Sequence, residues 1–412
     1  MPADLRPLFL RHRLRGSGGE VKRSRWESAA IAAFATLVLG VVVRLLLEND
    51  PRHNNVYLKV FATAAQDFLA GRDLYLAPGM NGGFRYPPLG AALFVPFAVC
   101  GPVLGSILWR LANVAVLVIG VRAVLRAGLP FVLSSRERAL VLGVLTVSAI
   151  ASVNNGQTNP LVLGLMLLAT AATLKARTMS AAGSMSLATT CKVYPFAYGM
   201  VLATLRPRLW LGLGLGLLLL VALPYALQRA DYVTAQYRHL YELLAAEDRT
   251  ANLGESYRDL HLIAATLHVP LPARLYFALQ VFGGFAIVCV AWWRRRCGAA
   301  AADVSTFAAA ATLLWFLLLG PATEKATYLW IAPPLSWALI TAARDGSGLR
   351  LCIAGSALLL VVIDNLPLGL PRQLPLLRCL QPFAACLVSL ELVLRVGTPR
   401  KEALVLGDHA HD

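Results

Sequence analysis

ENDPRHNNVYLKVFATAAQDFLAGRDLYLAPGMNGGFRYPPL, residues 48–89, is polar and charged where almost everything around it is apolar. A connector needs far fewer residues, and loops beyond about 12–15 residues in a compact protein are usually functional or disordered. Val60, Ala64, Ala65, Phe68 and Leu69 recur at the spacing of an amphipathic helix, and Gly71 follows where such a helix should stop. The stretch therefore predicts an ordered, aromatic-rich loop lying on a membrane surface.

The flanks supply the membrane. Mean hydropathy is +0.63, with 58% hydrophobic and only 15% charged residues, outside the soluble globular range. Apolar runs long enough to cross about 30 Å of hydrocarbon repeat along the chain. The expected fold is all-α and polytopic, with about twelve spans. Its boundaries are a basic cytoplasmic N-terminus (1–28), a membrane domain (29–398) and a cytoplasmic tail (399–412). The net charge of +16 follows from the bias of Lys and Arg toward cytoplasmic loops and does not call for nucleic acid as a partner. Seven cysteines lie scattered, mostly inside apolar runs and without CxxC spacing, as small buried hydrophobes.

Threading the runs by their basic flanks puts both termini inside. Large loops at 48–105 and 228–272, with short ones at 154–159 and 321–327, then share the outer face. Residues 87–102, interrupted by Pro96 and Pro102, suit a juxtamembrane or re-entrant helix. The half-length runs 181–190 and 196–205, split by CKVYP, fit either a short helical pair or one helix kinked at Pro195; the pair agrees better with the charge rule.

The outer segments concentrate acids, bases and aromatics. One group is Glu48, Asp50, Arg52, His53, Lys59, Asp67, Asp73, Arg85 and Tyr86; a second is Asn154, Asn155, Gln157 and Asn159; a third is Lys192 and Tyr194. The fourth includes Asp248, Arg258, Asp259 and His261, joined by Glu324 and Lys325. Outer Arg and Lys run against the orientation bias, and an anionic ligand would explain them, Arg as a planar fork and Lys as a point charge. Pairing with neighbouring acids is the simpler alternative for any one of them. Lys192 stands out, because a charge at membrane depth costs about 2.5–3.5 kcal/mol on the insertion scale and usually serves a ligand or pathway. The histidines show no zinc spacing, and no phosphate-binding glycine loop or soluble nucleotide unit is present, so neither a metal nor a cofactor is expected.

The order of pieces resembles a family. VFATAAQDFLAGRDLY, FRYPPLGAALFVPF, WRLAN, NNGQTNPLVLGLMLLA and AAGSMSLATTCKVYPF, in that order, look like the DUF2029 group, glycosyltransferase family 87, whose members are GT-C mannosyltransferases. The resemblance covers roughly residues 45–230, with AEDRTANLGESYRDL and GPATEKATYLWIAPP similar to a bacterial subgroup. It implies transfer of a sugar, mannose above all, from a polyprenyl-phosphate donor to a lipid or glycan acceptor at the outer face of a bacterial plasma membrane. It also implies an Asp base in the first outer loop, three residues before a Val-Tyr pair. Here the pair reads Val60-Phe61 and the matching position is Tyr57. Asp50 and Glu48 are the nearest acids and the expected substitutes. Lys192, Arg85 and Arg258 would hold the donor phosphate. Tyr57, Asn54, Asn55, Tyr86, Gln157, Asn159, Asp248, Asp259 and Glu324 would face sugar or acceptor. A flippase for a lipid-linked sugar, or an inactive relative, is the competing reading, favoured by the missing Asp and opposed by the absence of internal repeats.

Overall fold

The computed structural model describes residues 24–75, 83–127, 129–246, 257–321, 323–366 and 375–396. These residues form an all-helical bundle. Among them, seven helices are long and apolar enough to cross a membrane: α1 (Arg25–Leu47), α4 (Pro102–Ala127), α5 (Ser135–Asn155), α9 (Leu209–Leu227), α12 (Ala273–Arg296), α13 (Ala301–Leu319) and α15 (Gly348–Asn365). The expected all-α, polytopic membrane architecture stands, without support for as many as twelve spans. Leu218, Leu219, Phe282 and Phe285 on α9 and α12 remain exposed, as lipid-facing side chains are.

The other helices are shorter. They are α2 (Thr63–Ala70), α3 (Pro88–Ala98), α6 (Asn159–Leu174), α7 (Thr178–Cys191), α8 (Pro195–Leu205), α10 (Ala230–Ala246), α11 (Leu260–Thr266), α14 (Ala332–Arg344), α16 (Pro375–Arg378) and α17 (Leu380–Val396). At about 1.5 Å per residue, the 11 residues of α3 reach only about 16 Å, too short to cross. Nearly every side chain of α6 is buried, from Asn159 to Thr173. Its Gly164 lies so close to Gly120 of α4 that a Cβ on Gly120 would stand 2.3 Å from the Gly164 carbonyl oxygen. Such backbone contact is how helices pack tightly where water supplies no drive.

The loop after α1 is described through residue 75. Gly71 closes α2 in the left-handed conformation, φ 66°, as the expected stop. Ala64, Ala65 and Phe68 are buried, but Leu69 is 54% exposed. The difference arises upstream, where residues 57–62 form a π-helical turn whose wider winding moves the buried face onto Tyr57 and Phe61. Phe61 stacks on Phe94 at 4.6 Å, Phe94 meets Trp109 edge-on at 4.8 Å, and Tyr57 stacks on Trp109 at 6.0 Å. This aromatic cluster fastens the loop and α3 to α4. The run split by CKVYP is a helical pair, α7 and α8, with Lys192 in extended backbone between them, φ −157°.

Candidate functional site

The turn from Val153 to Asn159, joining α5 to α6, is the hub of the loop-rich end. Gly156 takes φ 68° there, and a Cβ on it would stand 2.9 Å from the Arg110 guanidinium carbon. Arg110, 2% exposed, donates to the carbonyls of Val153 (2.9 Å) and Asn154 (2.9 Å) and to Asn55 Oδ1 (3.3 Å). Arg44 donates to the same Asn154 carbonyl at 3.0 Å. The carbonyl end of a helix carries partial negative charge, so α5 holds Arg110 without a carboxylate and shares Arg44 with Glu48. Trp109 Nε1 donates to the Gly156 carbonyl at 2.9 Å, which ties α4 to the turn as well.

On the opposite flank of the turn, Gln157 Nε2 donates to Glu324 Oε2 at 3.0 Å. Trp330 Nε1 donates to the Asn159 carbonyl at 3.1 Å, and Ser152 Oγ donates to the Ala326 carbonyl. Glu324 opens a 3₁₀ turn, Lys325–Ile331, and its side chain caps the Thr327 N–H.

Lys192 lies beside this turn and is only 6% exposed. Its ammonium donates to the Tyr194 hydroxyl at 3.3 Å and sits 5.5 and 5.7 Å from the ring centres of Tyr194 and Trp330. Among the described residues no carboxylate comes within 4 Å of it. Tyr86 closes the group: burial pushes its hydroxyl up to about 12, with Lys192 pulling it down and Glu324 raising it. An ammonium, a carboxylate, a phenol and an amide thus converge from four segments far apart in sequence. Such a set can hold an anion at one point and accept a proton at another.

The other expected residues fall in three settings. In the opening loop, Glu48 pairs with His53 (3.2 Å) and Arg44 (3.6 Å). Asp50 is exposed, with Oδ1 accepting from the Arg52 N–H at 2.9 Å, and Asn54 is exposed at φ 45°. Asn55 is buried, with its amide donating to Ser106 Oγ at 2.9 Å, and Arg85 reaches the Gly83 carbonyl at 3.4 Å. Tyr57 is fully buried, and burial raises its hydroxyl far above neutrality. Across the face, Arg258 binds Asp364 Oδ1 at 3.0 Å. Asp259 caps α11 through the His261 N–H at 2.9 Å, and burial raises its carboxyl. Within the turn, Asn159 is fully buried with both ends of its side-chain amide unpartnered. Asp248 lies outside the described residues.

Sequence reasoning missed Asp364, which Lys325 also approaches at 3.0 Å, and the parts played by Arg44 and Arg110. Asp364 and Arg110 carried the same signal as Lys192, an ionisable group within or at the end of an apolar run.

Fold and site together define a polytopic membrane protein with a charged site at one end of its bundle. The chain belongs to glycosyltransferase family 87, whose profile matches residues 84–321, and is a glycosyltransferase. The match begins after Asp50 and Tyr57 and includes Tyr86, Gln157 and Lys192. No curated protein matches the sequence. Among solved structures, ArnT from Cupriavidus metallidurans bound to undecaprenyl phosphate is similar at 16% identity, over 89% of this chain and 78% of that one, with a TM-score of 0.36. That likeness is too loose to argue from.

Proposed function

We propose that this enzyme transfers a hexose, mannose first among them, from a polyprenyl-phosphate donor to a hydroxyl of a lipid or glycan at the loop-rich face. The observation that carries the reading is the buried Lys192 ammonium without a carboxylate. Burying a charge is costly unless it is paired, and a phosphate monoanion or dianion is the partner that family chemistry supplies. A groove of ≈ 400 Å³ between α7 and α9 supports the lipid part. It is lined by Leu215, Leu219 and Leu223 on α9 and by Met179, Leu187 and Thr190 on α7. Thr190 stands two residues before Lys192, so an apolar chain in the groove would bring its phosphate to the ammonium.

Gln157, Tyr86 and Asn159 are the proposed contacts for sugar hydroxyls, and Arg85 adds positive potential on the same face, while Arg258 is taken up by Asp364. The loop-rich end would face outward from a bacterial plasma membrane, since Arg294, Arg295, Arg296 and Arg344 mark the opposite end. Membranes containing the wild type should move radiolabelled hexose from polyprenyl phosphate to an extractable lipid or glycan, and Lys192→Ala membranes should not. Failure of the wild type with every polyprenyl-phosphate hexose offered would overturn the reading.

A further inference from the structure

The position where the family resemblance puts a base is Tyr57, a buried phenol with a raised pKa and no proton-accepting role at neutral pH. The carboxylates around it are committed elsewhere. Glu48 pairs with Arg44 and His53, Asp50 closes its own turn at Arg52, Asp67 binds Arg72 at 2.7 Å, and Asp73 binds His239 at 2.8 Å. Across the face, Asp364 serves two cations and Asp259 caps a helix.

Glu324 differs from the ion-paired acids, and from exposed Asp50 and the helix cap Asp259, by standing on the turn beside Lys192. It is half-buried, its side chain is oriented by Gln157 and by the Thr327 N–H, and among the described residues no cation lies within 4 Å of it. Its chain neighbour Lys325 is drawn away to Asp364. Glu324 and Lys192 both act on the Tyr86 hydroxyl, yet they do not pair with each other. Glu324 is tied to Gln157, and Lys192 to Tyr194.

We infer that Glu324 is the base that takes the proton of the acceptor hydroxyl, across the site from Lys192, which holds the leaving phosphate. This rests on the proposed polyprenyl-phosphate donor. The acceptor oxygen forms a bond to the anomeric carbon while the bond from that carbon to the phosphate oxygen breaks. The bonding pair leaves with the lipid phosphate, whose added charge meets the Lys192 ammonium. The hydroxyl proton passes to the Glu324 carboxylate and from there to water. Gln157 acts as a positioning residue for that carboxylate.

The test uses full-length protein in liposomes. Glu324→Gln keeps one side-chain oxygen for Gln157 or the Thr327 cap, so its melting temperature should fall by no more than a few degrees. Its kcat should fall about 100-fold or more, the usual worth of a positioned base, with donor KM little changed. Glu324→Asp should recover part of the rate. A wild type that transfers sugar while Glu324→Gln keeps kcat within threefold overturns the base assignment alone. A wild type that transfers nothing overturns both the assignment and the donor reading.

Discussion

Arg350 and Lys192 are both buried cations, 4% and 6% exposed, at opposite ends of one helical bundle. Arg350 meets Glu391 Oε1 through Nε at 2.9 Å and Asp345 Oδ2 at 2.6 Å. Close by, Asp303 takes Arg294 at 2.8 Å and Arg395 at 3.4 Å, and Arg344 binds Glu137 at 2.6 Å. At that end each buried charge answers another and fastens one helix to the next. At the loop-rich end, Lys192 is answered by a phenol and two ring faces. Burial alone therefore does not mark a functional charge. Burial without an opposite charge and without a set of carbonyl acceptors, such as Arg110 finds at the end of α5, does, because such a group waits for a ligand to complete it.

The comparison can be broken at four points. Arg350→Ala should cost the most stability, about 3–5 kcal/mol, because it strands buried Glu391. Denaturant unfolding in detergent measures this, and transfer activity per folded molecule should be unchanged. Lys192→Met should do the reverse, leaving melting unchanged or raised while kcat falls about 100- to 1,000-fold, the usual loss when one electrostatic donor is removed. Gly156→Ala should cost about 1–3 kcal/mol, since it imposes a side chain on a left-handed residue and crowds the Arg110 guanidinium. Thermal melts would read that cost, and KM should rise with it as the turn shifts. Asp50→Ala, at an exposed residue closing its own turn, should change stability by less than about 0.5 kcal/mol and leave transfer rates within a few-fold.

Much of this contrast was open to reading in the sequence. The long apolar runs, the amphipathic stripe with Gly71 behind it, and the break at Lys192 each depend on local pattern, and local pattern is what a sequence displays. The number of spans was less open, because a short apolar helix such as α6, of 16 residues, has the hydropathy of a span without its full length. The helical face in the opening loop shifted because a π-helical turn adds a residue per turn, which no apolar spacing announces. Partners were least legible. Arg258 looked free for phosphate until the fold set Asp364 against it, 106 residues later. Glu324 and Lys325 are chain neighbours, yet their side chains separate, one to Gln157 and the other to Asp364.

The most direct measurement is the affinity of purified protein for a polyprenyl phosphate without sugar, read by quenching of the tryptophan fluorescence to which Trp330 contributes beside Lys192. The wild type should bind, and Lys192→Met should bind at least about tenfold more weakly with its fold intact, as loss of a charge-assisted contact to phosphate requires. Equal affinity in the two proteins would contradict the assignment of Lys192 to the phosphate.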